Sequence, residues 1–349
     1  MASQSPWLTV KHGRSAYTIN EWHSALTSLK LPAASRPTFT AMVGRKSKTD
    51  ALRGLLPASA KTMGSGHGQA FLVADLSPKA EGPTLYVDYE LQTCNMPKWH
   101  ENCGTGPNVS RTVDLLAHGL QPWSRRRVGN LLCGRAIAPL CDTLCYFAGD
   151  CGGLRVVAAI LAELMTEVGA VDVPPLCLPR VVVVVETMST QFNPHPTELR
   201  LMAELSDRLA GDNQDVAALV RRHFHSIRVV GSSKRAAARA KWSSLRKTLH
   251  HIRHDVSVAR ASHGLDFQRD HLFAISTRLF DHYCNRRAAP FSVAKASRPA
   301  GFMVGDLVKH LEELITLLPA EVWMWHLVVP LLSCSILLTS YPPGSHRGS

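Results

Sequence analysis

Residues 180–186 read Arg-Val-Val-Val-Val-Val-Glu, five consecutive valines between two charged ends. β-Branched side chains favour extended backbone, because their χ1 freedom is already restricted. A strand with one wet face alternates apolar and polar residues. This run does not alternate, so both of its faces have to be covered by other elements. That is the condition of an inner strand in a parallel sheet flanked by helices, and it demands enough apolar residues to build two layers. The chain of 349 residues is 45% hydrophobic and 19% charged, which meets that demand and excludes collagenous, low-complexity and coiled-coil architectures.

Short apolar or β-branched runs at 38–43, 70–74, 84–89, 143–148 and 226–230 supply further strands. Helix-period stretches at 109–120, 125–140, 154–168, 196–210 and 215–225 fall between them. Alternation of this kind predicts an α/β fold with a doubly wound, mostly parallel sheet. Strand signals stop after Gly231, and helical patterns follow near 234–260, 266–284, 304–318 and 321–339. The expected organisation is an N-terminal segment (1–34), an α/β domain (35–231) and an all-helical extension (232–349).

The strand at 38–43 runs into Gly44-Arg45-Lys46-Ser47-Lys48-Thr49 and then a helical ALRGLL. Strand, basic loop and helix in that order are the topology of a phosphate loop, in which backbone N–H groups wrap phosphate, Lys reaches its oxygens and Ser/Thr holds Mg²⁺. The span from Gly44 to Lys48 is two residues shorter than GxxxxGK and has no second glycine. The strand at 84–89 carries Asp88 near its carboxyl end, where an NTPase places its metal-side carboxylate. Leu91 and Gln92 stand where a GTPase would have the glycine that meets the γ-phosphate, and Glu186-Thr187-Met188-Ser189 replaces the Asn-Lys-x-Asp that reads guanine.

GQAFLVADL, PTLYVDYEL, DTLCYFAGDCGGL, RVVVVVET and the closing SYPPGSH together resemble, in order and spacing, the GTPase-like region found ahead of the patatin-like phospholipase domain in large fungal proteins. The resemblance extends over roughly residues 35–345. It implies a P-loop NTPase (GTPase-like) topology with a helical extension. Gly44, Lys48 and Thr49 fall on its phosphate loop, and Asp88 on its metal-side aspartate. The implied ligand is a Mg-nucleotide, GTP or ATP, and the implied partner a phospholipase domain or another protein. With the departures above, the expectation is a regulatory or interaction module with decayed nucleotide chemistry, weak nucleotide binding and no hydrolysis. The lipase motifs G-x-S-x-G and D-G-[GA] do not occur in the chain.

Other residues support competing readings. Gly149-Asp150-Cys151-Gly152-Gly153 places a cysteine in a G-x-C-x-G between strand and helix, the context of a nucleophile elbow, with His195, His223 or His225 as the base of a Cys-dependent hydrolase. Cys94, His100 and Cys103 are three metal-type ligands without a fourth, and His250 and His254 lie one helical turn apart without HExxH, so no metal site is expected. Between Lys234 and Arg260 there are eight Lys/Arg and one acid, on a segment whose Trp242, Leu245, Leu249, Ile252, Val256 and Ala259 form an apolar stripe. One face of that helix packs, and the other could meet nucleic acid or an anionic membrane surface, as the net charge of +12 allows. The uncharged segment 322–341 contains His326 and Pro330 and reads as a buried core helix rather than a membrane span. Nine cysteines without a CxxC pair, and no apolar core of signal-peptide length in the opening residues, predict reduced thiols in the cytoplasm.

Overall fold

The computed structural model describes residues 6–12, 16–57, 69–76, 82–90, 109–114, 125–167, 173–189, 191–209, 215–285 and 291–296, with isolated positions beyond 296. In chain order the elements are β1 (Leu8–His12), β2 (Ala16–Glu21), α1 (His23–Thr27), β3 (Thr38–Val43), α2 (Lys46–Leu55), β4 (Gln69–Asp75), β5 (Thr84–Tyr89) and β6 (Val109–Asp114). There follow α3 (Arg125–Leu132), β7 (Thr143–Phe147), α4 (Ala148–Cys151), α5 (Leu154–Glu167), β8 (Arg180–Thr187), α6 (His195–Leu209), α7 (Val216–His223) and β9 (Ser226–Ser233). The remaining described elements are helical: α8 (Ala238–Lys241), α9 (Ser243–Ser262), α10 (Arg269–Asn285) and α11 (Val293–Ala296).

All nine strands belong to one sheet, ordered β6-β2-β1-β4-β5-β3-β7-β8-β9. From β5 to β9 every neighbouring pair is parallel, and from β6 to β5 every pair is antiparallel. The α/β class is therefore correct, but the sheet is mixed rather than mostly parallel. Apolar pattern encodes burial, not strand direction; β4 and β5 are joined by a connection too short for a crossover helix, so they pair antiparallel. Two further differences enlarge the sheet. Residues 109–114 form an edge strand where a helix over 109–120 was expected, because in-register pairing with all of β2 satisfies their backbone groups. Within the N-terminal segment, β1 and β2 join the same sheet through β4.

The valine strand behaves as its pattern requires. Val181 and Val183 face a core shared with Leu144 and Tyr146 of β7, Val157, Ile160 and Leu161 of α5, and Leu201 and Leu205 of α6. Val182 and Val184 face a second core with Cys145 and Phe147 of β7, Ala51 and Leu52 of α2, and Leu245, Leu249, Ile252 and Val256 of α9. The stripe on α9, together with α2, thus covers the second face of the parallel block, and the helical extension is part of the fold's own packing.

Contact between α2 and α9 is close enough to fix a residue. A Cβ built on Gly54 would stand 2.5 Å from Cδ1 of Trp242, and the Trp242 ring packs edge-on against Phe147 at 5.9 Å between centroids. Glycine inside a helix ordinarily costs up to about 1 kcal/mol relative to alanine. Here the sign reverses, because a methyl group would push the indole out of its place. Gly54→Ala is expected to destabilise the protein by about 1–3 kcal/mol in denaturant unfolding; a stabilised variant would refute this packing.

Candidate functional site

The carboxyl ends of β3 and β7 are adjacent in the sheet, and chain connections leave in opposite directions from them: β3 leads to β4 and β5 on one side, β7 to β8 and β9 on the other. Open α/β sheets form their binding crevice at such a switch point. Gly44 follows β3 here, and α2 begins two residues later, so the first-turn N–H groups of α2 point into the crevice without partners in their own helix. Arg45, the residue before the helix, makes no side-chain cap.

The acceptor comes from the neighbouring strand. Asp150, in α4 just after β7, takes the N–H of Arg45 at 2.7 Å and of Lys48 at 3.0 Å on one carboxylate oxygen, and the N–H of Ser47 at 3.1 Å on the other. First-turn N–H groups of this kind are donors that a helix head otherwise offers to an anion. The carboxylate comes so near that a Cβ on Gly44 would lie 2.8 Å from it, so glycine is required at that position.

Lys48 and Asp88 meet as the sequence reading anticipated, but they meet each other. Their side chains form a close ion pair in which both residues are fully buried. Arg45 pairs in turn with Glu90 at 2.5 Å, and the Thr49 hydroxyl donates to the Arg45 carbonyl at 2.9 Å. The four predicted site residues, Gly44, Lys48, Thr49 and Asp88, are thus gathered at one place. Around the α2 head the carboxylates of Asp88 and Glu90 are engaged by the side chains of Lys48 and Arg45 and that of Asp150 by backbone N–H groups, while Lys46 stays exposed. Asp88 engaged by an ammonium and Thr49 turned back on its helix are not arranged as Mg²⁺ ligands.

Asp150 was the residue that sequence reasoning missed. Its signal was present, an acid between glycines directly after a strand, but the motif drew attention to Cys151 instead. Cys151 lies in the helical turn α4, half-buried, with its thiol 3.9 Å from the Val43 carbonyl. Lys30 is the one non-glycine residue with positive φ among those described, so Cys151 does not have the strained backbone of an elbow. His225 sits at the opposite sheet edge, where its N–H bonds Pro179; His223 bonds the Leu219 carbonyl, and His195 opens α6 in an exposed position.

Glu186, at the end of the valine strand, is held by Lys241 at 3.3 Å and Lys234 at 3.4 Å. Three more cations of the basic segment are turned to structural partners: Arg246 donates to the Gly54 carbonyl, Arg253 to Thr84 at 2.7 Å, and Arg260 pairs with Asp142 at 2.7 Å. Lys247 and Arg235 remain exposed. Cys94, His100 and Cys103 lie outside the described residues, as does most of 322–341. Among the described residues no metal-binding group of His, Cys, Asp or Glu occurs, and no helix is long and apolar enough to cross a membrane. No protein-family model and no curated protein matches the chain.

Removing one member of a buried ion pair strands the other, at a cost of about 3–5 kcal/mol, whereas replacing both by apolar residues can be neutral. Lys48→Met is expected to lose stability of that order in urea unfolding, and Lys48→Met/Asp88→Leu to recover most of it. A double variant no more stable than Lys48→Met would show that the pair is not what the α2 head depends on.

Proposed function

We propose that the chain is a regulatory or interaction module built on a degenerate P-loop, GTPase-like fold, in which the former phosphate cradle is satisfied by the protein's own side chains. One observation carries this reading: a single carboxylate, Asp150, accepts three N–H groups at the head of the helix that follows the central strand. Consistent support comes from the sheet, in which a strand leading into a basic loop lies between an acid-bearing parallel strand and the β7-β8-β9 block, although four antiparallel strands, β4, β1, β2 and β6, extend the sheet beyond the acid-bearing one.

Catalysis would require a site that is open to substrate and complete only in its presence. This crevice is complete without one. The buried Lys48–Asp88 pair and the Arg45–Glu90 pair stabilise the closed arrangement, so the fold acts through its surfaces and not through turnover. The resemblance to the region that precedes patatin-like phospholipase domains supports a partner of that kind, carried in the same chain or bound from another.

The reading is tested by calorimetric titration of the protein with GTP, ATP, GDP and ADP in the presence of Mg²⁺, beside Asp150→Ala. The wild type is expected to bind none of them more tightly than about 1 mM and to release no phosphate. Asp150→Ala, with its helix head uncapped, is expected to gain at least about tenfold in triphosphate affinity. Saturable Mg²⁺-dependent binding to the wild type below about 100 μM would overturn the closed site. No gain in Asp150→Ala would remove the descent from a phosphate loop.

A further inference from the structure

At the opposite edge of the sheet, where β7 and β8 begin, one buried carboxylate joins four elements. Asp142, the residue before β7, is 2% exposed. Its backbone N–H donates to the Phe39 carbonyl of β3 and its carbonyl accepts the Arg180 N–H of β8. One side-chain oxygen accepts the Phe39 N–H at 2.7 Å, and the other meets the Arg260 guanidinium at 2.7 Å. Arg260 stands in the last turn of α9, and Asp142 is its one ion-pair partner among the described residues. Three of these contacts run from strand to strand. The fourth crosses from the sheet to the end of a covering helix.

The end of α9 is a unit of its own. Gly264, with φ +65°, turns the chain so that the Leu265 N–H returns to the Arg260 carbonyl at 2.9 Å. That unit is loosely seated, because Arg260, Leu265 and Phe267 border a cavity of about 30 Å³, large enough to admit water. Burial raises the Asp142 pKa above its ordinary value, against the opposing effects of Arg260, the Phe39 N–H and Arg180. Exposed Asp270, held low by its hydrogen bond from Arg269, keeps its charge further into acid. Once Asp142 is protonated, the oxygen that accepts the Phe39 N–H goes on accepting it, and the other becomes a hydroxyl. A hydroxyl proton then faces the N–H donors of Arg260, and the ionic attraction is gone. Cys141 and Cys177 beside the pair do not replace the lost anion, because burial raises both thiols and keeps them neutral. The remaining charged or titratable groups around the pair are Arg180, Arg228, His225 and Asp255, with His263 and the Asp266–Arg36 ion pair at the loop.

We propose that Asp142 and Arg260 form an acid-sensitive latch: ionised Asp142 holds the last turn of α9 and the loop 263–268 against the sheet, and neutral Asp142 lets them loosen. The strands stay paired in both states, because the Phe39 and Arg180 bonds survive the proton. Loosening uncovers Leu265 and Phe267, which are buried in the latched state. The latch uses none of the residues of the α2 head, so it stands or falls apart from the nucleotide reading.

The experiment is amide hydrogen exchange of the full chain, resolved to peptides over 256–268 and corrected for the intrinsic pH dependence of exchange, from about pH 9 to about pH 4. Protection over 256–268 is expected to fall about tenfold or more on acidification, while peptides over β7 and β8 change less than about twofold. Asp142→Asn, which carries no charge at any pH, is expected to show the lower protection throughout. Arg260→Met, which removes the other half of the latch, is expected to show no fall on acidification. A flat profile in the wild type overturns the proposal. So does a fall that persists in Asp142→Asn, which would assign it to His263 or to the Asp266–Arg36 pair, or one that persists in Arg260→Met. If Asp142→Asn fails to fold, Arg260→Met and the wild-type profile decide alone.

Discussion

Two-sided burial of the parallel block governs the rest of the molecule. With Val181 to Val184 all essentially inaccessible to water, neither face of β8 can be left open, and each requires its own layer of helices. One layer comes from α5 and α6, close to the sheet in sequence. The other needs α9, which lies beyond the last strand, so the chain returns across the sheet after β9 to close its own core. That return decides what the basic segment can do. Its apolar stripe is committed to the sheet, and Arg246, Arg253 and Arg260 reach around the stripe to acceptors on α2, β5 and the start of β7. Part of that charge therefore ties a covering helix to the sheet, while Arg235 and Lys247 stay on the surface.

The same economy of polar groups is visible at both ends of the central strands. At the carboxyl edge, the N–H groups of Arg45, Ser47 and Lys48 and the side chains of Arg45 and Lys48 all have resident acceptors. At the amino edge Arg260 pairs with the buried carboxylate of Asp142, while the hydrogen bond of the Arg180 side chain goes to the Leu176 carbonyl.

Much of this was legible in the sequence where one physical signal dominated. Strands β3, β5, β7, β8 and β9 follow from runs of residues that tolerate burial on both faces, and the juxtaposition of Lys48 with Asp88 follows from placing both at the carboxyl ends of neighbouring parallel strands. What escaped was long-range. In β6, Val109 and Val113 are spaced for a helix as well as for a strand, and only pairing with β2 selects the strand. The antiparallel direction of β4 depends on its connection to β5, which no side-chain pattern records. Asp150 was hidden because an acid after a strand has many local uses, and nothing near it in sequence says that its acceptors serve a helix 105 residues earlier.

That separation in sequence has a kinetic meaning. Arg45 gives α2 no local cap, and the helix is only 10 residues long, too short to be stable alone. Its first turn is completed by a carboxylate that arrives when β7 has docked beside β3. The capping of α2, and with it the full ordering of its first turn, therefore depends on a non-local strand pairing rather than on the helix's own sequence.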